Sequence, residues 1–251
     1  MSLSGRVALV SGGGRGIGRA IALALAEDGA DVAVNYRRDE AAARETVAAI
    51  ERLGRKAVAC EASVDSFEAC QAMVEAAVKD LGPIDILVAN AGIASRGQNV
   101  ADTDPAELER VLRTHAFSAH YLAKLVLPGM RERPRGDIVM ISSTATKSNP
   151  GWGAPYNMAK AAMEALAFTL ANEERQHGIH VNVVAPGLVE TEMGRRLVKA
   201  TQGVDDLRQI DAAMPFGHVC TPDEVAAAVR FLVSDAAGYV SGQRIYVDGG
   251  V

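Results

Sequence analysis

Aromatic residues are only 4% of the 251 positions, with a single Trp, so a core built on ring stacking is excluded. Ala, Val, Ile and Leu must fill the interior instead, within a hydrophobic fraction of 49%. Cysteine is scarce too: three residues, at 60, 70 and 220, form an odd set without metal or disulfide spacing. Buried thiols in a reducing compartment are therefore expected. No metal site is expected, because His177 and His180 straddle Gly178, where a helix ends, with no Cys or acid to complete a ligand set. The formal charge of −5, with Lys and Arg scattered, offers no basic stripe and argues against a nucleic-acid partner. No apolar run reaches the roughly eighteen residues that a membrane span needs. The opening MSLSGRVALV lacks a long apolar segment behind a basic one, so a cytoplasmic protein without a targeting signal is expected. Repeats, low-complexity blocks and linkers rich in Pro, Ser or Gly are missing as well, which favours one domain.

What is present is alternation. VALVSG, DVAVNY, KAVACEA, ILVAN, DIVMIS, HVNVVAPG and QRIYVDG read as seven strands, several apolar without interruption, as in a sheet covered on both faces. Helical periods lie between them, at 16–28, 40–53, 66–81, 105–127, 155–177 and 222–234. The order predicts an α/β fold: one Rossmann-type, doubly wound, seven-stranded parallel sheet flanked by helices. The segment 188–214 has weak helical period and several charges, and reads as a flap over a site or a surface excursion.

The first strand runs into a glycine cluster and then a helix, the context of a dinucleotide loop. The spacing is Gly12-x-x-x-Gly16-x-Gly18 rather than G-x-G-x-x-G, and five glycines fall in seven positions. Such glycines permit a tight turn and close approach to a pyrophosphate, while the N–H groups of Gly16, Ile17 and Gly18 at the helix start face the anion. The second strand ends in NYRR, with Asn35 read as standing where an acid would bind the ribose 2′-OH of NAD. A carboxylate about 4 Å from a 2′-phosphate would be repelled by roughly 4 kcal/mol. Its absence, with Arg15, Arg37 and Arg38 nearby, favours NADP, with NAD as the alternative; the Arg pair could also merely balance Asp39 and Glu40. Tyr156 and Lys160, four apart in YNMAK, share one helix face, which by itself is either chemistry or a solvated surface.

Gly12-x-x-x-Gly16-x-Gly18, Asn90-Ala91-Gly92 after the fourth strand, Ser143, Tyr156-x-x-x-Lys160, Pro186-Gly187 with Thr191, and the terminal Val247-Asp248-Gly249-Gly250 occur in one order. In this the chain resembles the short-chain dehydrogenase/reductase family from its first strand to its last. The resemblance implies ketone–alcohol interconversion with a nicotinamide dinucleotide. It makes Tyr156 the acid, with Lys160 lowering its pKa and holding the nicotinamide ribose, and Ser143 binding the substrate oxygen. It places Asn90, Ala91, Gly92, Pro186, Gly187, Val189 and Thr191 around the cofactor. It also marks two departures. His115 occupies the place of a catalytic Asn that holds a water on the proton relay, and a pKa near ~6.5 would let its charge vary at working pH. Ser63 replaces the acid aimed at the adenine amino group, leaving its hydroxyl and the Val64 N–H. General similarity is greatest to β-ketoacyl-acyl-carrier-protein reductases, which implies a small carbonyl or alcohol substrate, free or carried on acyl carrier protein, with Arg131, Arg133 and Arg135 as a candidate docking patch. The family also implies a homotetramer with the helices at 105–127 and 155–177 between subunits. The alternatives are an NAD-linked dehydrogenase of a sugar or cyclic alcohol, or a non-catalytic dinucleotide sensor.

Overall fold

The computed structural model describes residues 2–251. Seven strands form one sheet: β1 (Val7–Val10), β2 (Asp31–Tyr36), β3 (Ala57–Glu61), β4 (Ile86–Ala89), β5 (Gly136–Ile141), β6 (Ile179–Pro186) and β7 (Arg244–Val247). Every pairing is parallel, in the order β3-β2-β1-β4-β5-β6-β7. The uninterrupted apolar runs have a direct cause in the alternating side chains of each strand. Leu9, Leu87 and Ile138 enter one core layer, while Ala8, Val10, Ile86, Val88 and Val139 enter the other. Burial on both faces leaves these central strands no polar side to show.

Helices α1 (Gly16–Glu27), α2 (Glu40–Arg52), α3 (Phe67–Leu81), α4 (Pro105–Leu112), α5 (Ser118–Met130), α6 (Ala145–Ser148), α7 (Ala154–Glu174), α8 (Glu192–Gln202) and α9 (Pro222–Leu232) complete the fold. Residues of α1, α2 and α9 cover one face and residues of α3, α5 and α7 the other. Several starts are conventional: Asp39 and Ser66 accept from the N–H of Ala42 and Ala69, and Thr221 with Glu224 forms a capping box. No helix among the described residues is long and apolar enough to cross a membrane.

Two expectations need correction. The period at 105–127 is not one helix: a π-helical turn, Arg113–Phe117, separates α4 from α5, and His115 sits in it. The segment 188–214 is better ordered than its weak period implied. It forms α8, capped by Thr191 accepting from Gly194 N–H, and a 3₁₀ segment Leu207–Ala213. These pack on a small core of their own, Val198, Leu207 and Val219, separate from the two layers on the sheet.

The chain reverses direction across the sheet between β1 and β4, where β1 continues outward to β2 and β3 and β4 to β7. Beyond the carboxyl ends of these two strands a crevice opens, the usual ligand site of such sheets.

Candidate active site

At that crevice the ends of β1 and β4 are tied together. Ser11 Oγ accepts from the N–H of Asn90 (2.9 Å) and Ala91 (3.0 Å), and Asn90 Nδ2 donates to the carbonyls of Ser11 (2.8 Å) and Gly12 (3.2 Å). The glycine loop has little room above this tie. A Cβ on Gly18 would lie 2.2 Å from Gly12 O and 2.5 Å from Asn90 Nδ2. Gly12 and Gly16 have φ of +63° and +53°, in the left-handed region that favours glycine. Helix α1 begins at Arg15 without a side-chain cap, unlike α2 and α3. A bare backbone cradle at an uncapped helix N-terminus fits the pyrophosphate of a dinucleotide. Thr191 closes the loop from the far side, since a Cβ on Gly16 would stand 3.3 Å from its Cγ2. Thr191 lies just beyond Pro186, Gly187 and Val189, where Gly187 N–H bonds Val247 O and Val189 bridges to Cys220.

Asn35 does not stand where the sequence reading put it. It is 2% exposed, accepts from Gly12 N–H at 3.1 Å and donates to the carbonyls of Tyr36, Cys60 and Ala62. Its amide holds the glycine loop to β2 from beneath, because the period-two alternation of a strand turns this residue inward. Tyr36 is the last residue of the strand, and Arg37 and Arg38 follow it into solvent. Neither arginine, nor Arg15, has an ion pair among the described residues. Asp39 is engaged as the α2 cap and Glu40 pairs with Arg44, so the Arg pair does not serve to balance them. Ser63 is half-buried and Val64 buried after β3.

Ser143, Tyr156 and Lys160 come together from β5 and α7. Ser143 follows β5 by two residues, and Tyr156 lies in the first turn of α7 behind Pro155, whose fixed φ suits a helix start. The Lys160 ammonium lies 5.7 Å from the centre of the Tyr156 ring and donates to Ile141 O at 2.6 Å. Lys160 is 3% exposed, and burial lowers its pKa to about 7, Glu164 opposing that fall. Tyr156 moves opposite to the direction expected from Lys160: burial raises its pKa, and the Ser143 hydroxyl is the group that resists the rise. Desolvation of the phenol outweighs that hydrogen bond, and Lys160 is not among the causes of the shift.

The family model described as enoyl-(acyl carrier protein) reductase matches residues 12–251. The 3-oxoacyl-[acyl-carrier-protein] reductase FabG of Vibrio cholerae is 36% identical over 251 residues, covering 100% of this chain and 99% of that protein. A short-chain dehydrogenase/reductase of Serratia marcescens superposes with a TM-score of 0.89 at 34% identity, covering 100% and 99% of the two chains. A 7α-hydroxysteroid dehydrogenase solved with NADH and 7-oxo glycochenodeoxycholic acid gives 0.90 at 33%, covering 99% and 95%. The chain belongs to the short-chain dehydrogenase/reductase family. This short-chain dehydrogenase/reductase is an oxidoreductase acting on CH–OH groups and their ketones, with NAD(P) as the partner dinucleotide.

His115 is 1% exposed in the π turn, and its Nε2 lies 3.1 Å from Ile93 N and 2.8 Å from Ile93 O. A ring nitrogen accepts from the first or donates to the second, not both, whereas a carboxamide can do both. Nδ1 is buried without a partner among the described residues. The ring meets Tyr156 edge-on, centroids 5.3 Å apart, and leaves no space for a Cβ on Gly92, which would come 2.6 Å from Cε1. The expectation of a variable charge fails: burial first, then the Lys160 charge, pushes the His115 pKa down to about 3, so the ring is neutral at working pH.

Arg131, Arg133 and Arg135 do not form a free basic patch in this dehydrogenase/reductase. Each pairs with a buried acid, Glu174 at 2.6 Å, Asp85 at 2.7 Å and Asp137 at 2.9 Å, so the cluster neutralises carboxylates at the base of the sheet. Cys70 is buried while Cys60 and Cys220 are half-buried; all three thiols are free. No metal-holding group of His, Cys, Asp and Glu exists among the described residues. Sequence reasoning missed Ser11, Thr46, Ser142 and Glu164. Thr46 is buried and donates to Gly14 O at 3.1 Å, bracing the glycine loop from α2. Only Glu164 carried a readable signal, as an acid one helical turn beyond Lys160.

Proposed function

We propose that this enzyme interconverts a ketone and a secondary alcohol with NADP(H), with Tyr156 as general acid and base. The observation that carries the reading is the convergence of Ser143, Tyr156 and Lys160 beside the glycine cradle. When bound, the dinucleotide supplies or accepts the hydride. The chain's own residues handle the proton and the charge. Tyr156 gives its phenolic proton to the substrate oxygen in reduction and takes it back in oxidation, and the Ser143 hydroxyl donates to that oxygen as it gains charge. A protonated Lys160 stabilises the phenolate left behind and holds the nicotinamide ribose. Gly12, Gly16, Ile17 and Gly18 cradle the pyrophosphate, Ser63 and Val64 flank the adenine, and Asn90, Ala91, Gly92, Pro186, Gly187, Val189 and Thr191 wall the nicotinamide half. His115 takes the place of the relay Asn as a neutral ring, with Nδ1 as its open polar atom.

The choice of NADP rests on Arg15, Arg37 and Arg38, exposed and without ion pairs among the described residues, since guanidinium matches phosphate oxygens. Asn35 supports it only indirectly, by shaping the loop. A 3-oxoacyl thioester is the first substrate to test, free and carrier-bound. The segment 188–214 serves as the substrate flap in this reading of a single-domain enzyme. A homotetramer accords with exposed Phe117 and Met158 on the two long helical segments, and light scattering that shows a stable monomer would remove it.

The test is a ketone panel with NADPH and NADH in parallel. Consumption of NADPH that Tyr156→Phe abolishes is the expected result. A preference for NAD in kcat/KM, unchanged by Arg37→Ala and Arg38→Ala, would reject the cofactor assignment; no turnover of any ketone or alcohol would reject the reaction.

A further inference from the structure

Glu164 is a carboxylate in the protein interior, 4% exposed, on the face of α7 that carries Lys160 one turn before and Tyr156 two turns before. Burying such a charge is costly unless its oxygens are all met. They are. Oε1 accepts from Ser142 Oγ at 2.6 Å and from Thr146 Oγ1 at 2.9 Å, and Oε2 accepts from Arg244 Nη1 at 2.6 Å. Ser142 and Thr146 bracket Ser143, and Thr146 Oγ1 also lies 2.9 Å from Ser143 O. One side chain thus grips both sides of the turn that presents the Ser143 hydroxyl and fastens it to the helix that presents the phenol.

We propose that Glu164 is a positioning residue of this enzyme, clamping the Ser143 turn to α7 and sustaining the positive charge of Lys160 through its own negative one. The inference rests on the proposed reaction, in which Lys160 acts as a cation. The groups facing that ammonium are few. Tyr156 and Glu164 lie on its own helix, the neutral His115 faces it from the π turn, and β5 contributes only the carbonyl of Ile141. Arg110 of α4 acts on His115, and Arg244 of β7 reaches the site through Glu164. Glu164 is therefore the anion that offsets the desolvation of Lys160, and it is the one cause that raises a pKa otherwise driven down to about 7.

Glu164→Gln keeps the size and an acceptor and removes the charge; Arg244→Gln removes the opposing charge instead. The direct readout is the Lys160 titration midpoint in dinucleotide-free protein, followed by ¹³Cε NMR and assigned with Lys160→Arg. Glu164→Gln is expected to lower the midpoint by about one pH unit and Arg244→Gln to raise it. In the pH profile of ketone reduction, Glu164→Gln should move the alkaline limb of kcat to lower pH, with about tenfold loss at pH 8 and much less at pH 6. Glu164→Asp, which restores the charge, should return the limb towards the wild-type position. A uniform loss of kcat with an unmoved Lys160 midpoint overturns the proposal. If Glu164→Gln does not fold, Arg244→Gln decides alone: an unmoved midpoint overturns the proposal and an upward shift supports it. Wild-type protein that reduces no ketone would sink the proposed reaction, an outcome separate from the NMR result.

Discussion

The buried imidazole of His115 should make the protein acid-labile by an amount that can be worked out. Its folded pKa lies near 3, against an ordinary value of 6.5. The folded state binds this proton more weakly than the unfolded state. The neutral ring therefore costs nothing above about pH 6.5, and stability falls progressively as pH drops from there towards 3. Each pH unit in that window is worth about 1.4 kcal/mol, so at pH 5 the cost is about 2 kcal/mol. The comparison is His115→Asn, in which the titrating group is gone. Urea unfolding of both proteins at pH 7.5 and pH 5 should show the wild type losing about 2 kcal/mol more than the variant. His218, whose pKa is raised by its bond to Glu224, acts in the opposite sense but is present in both proteins and cancels. At pH 7.5 the variant should be no less stable than wild type, because a carboxamide can meet both Ile93 groups and removes the unpartnered Nδ1. Parallel loss of stability in the two proteins would refute the reasoning, because it would mean that the ring is protonated or solvated in the folded state.

Asn35→Asp is nearly isosteric yet sets a carboxylate against the carbonyls of Tyr36, Cys60 and Ala62. It should lose about 3 kcal/mol in urea unfolding. Gly18→Ala forces α1 away from Gly12 O and should lower dinucleotide affinity at least about tenfold by calorimetry. The same change at Gly129, an open position in α5, should leave affinity intact and raise stability by about 0.5 kcal/mol. With Lys160 titrating near 7, wild-type kcat for reduction should decline as pH rises through that value, since the ammonium is the form that stabilises phenolate. A flat profile from pH 6 to 8.5 would contradict that role.

Local chemistry made much of the molecule readable. The central strands are legible because burial on both faces favours unbroken apolar runs, and the glycine loop because a positive φ and a missing Cβ leave few substitutes. Tyr156 and Lys160 could be paired because helical geometry alone sets residues four apart on one face. Where the reading went wrong, the deciding partner was distant in the chain. Asn35 reads as a ligand contact, but the carbonyls of residues 60 and 62 hold it inward. Arg131 and Arg133 read as part of a docking patch, but Glu174 and Asp85 lie against them.

By itself the sequence determined the α/β order, the loop that suits a dinucleotide and the pairing of Tyr156 with Lys160 on one helix face, all properties of residues near one another along the chain. Only the tertiary structure decided their charge states. It keeps His115 neutral down to about pH 3, lowers the Lys160 pKa to about 7 and raises that of Tyr156, since a pKa depends on solvent exclusion and on charges that the fold gathers from separate elements. It also decided that Glu164, inconspicuous in the sequence, joins the Ser143 turn, the α7 helix and strand β7 through one carboxylate.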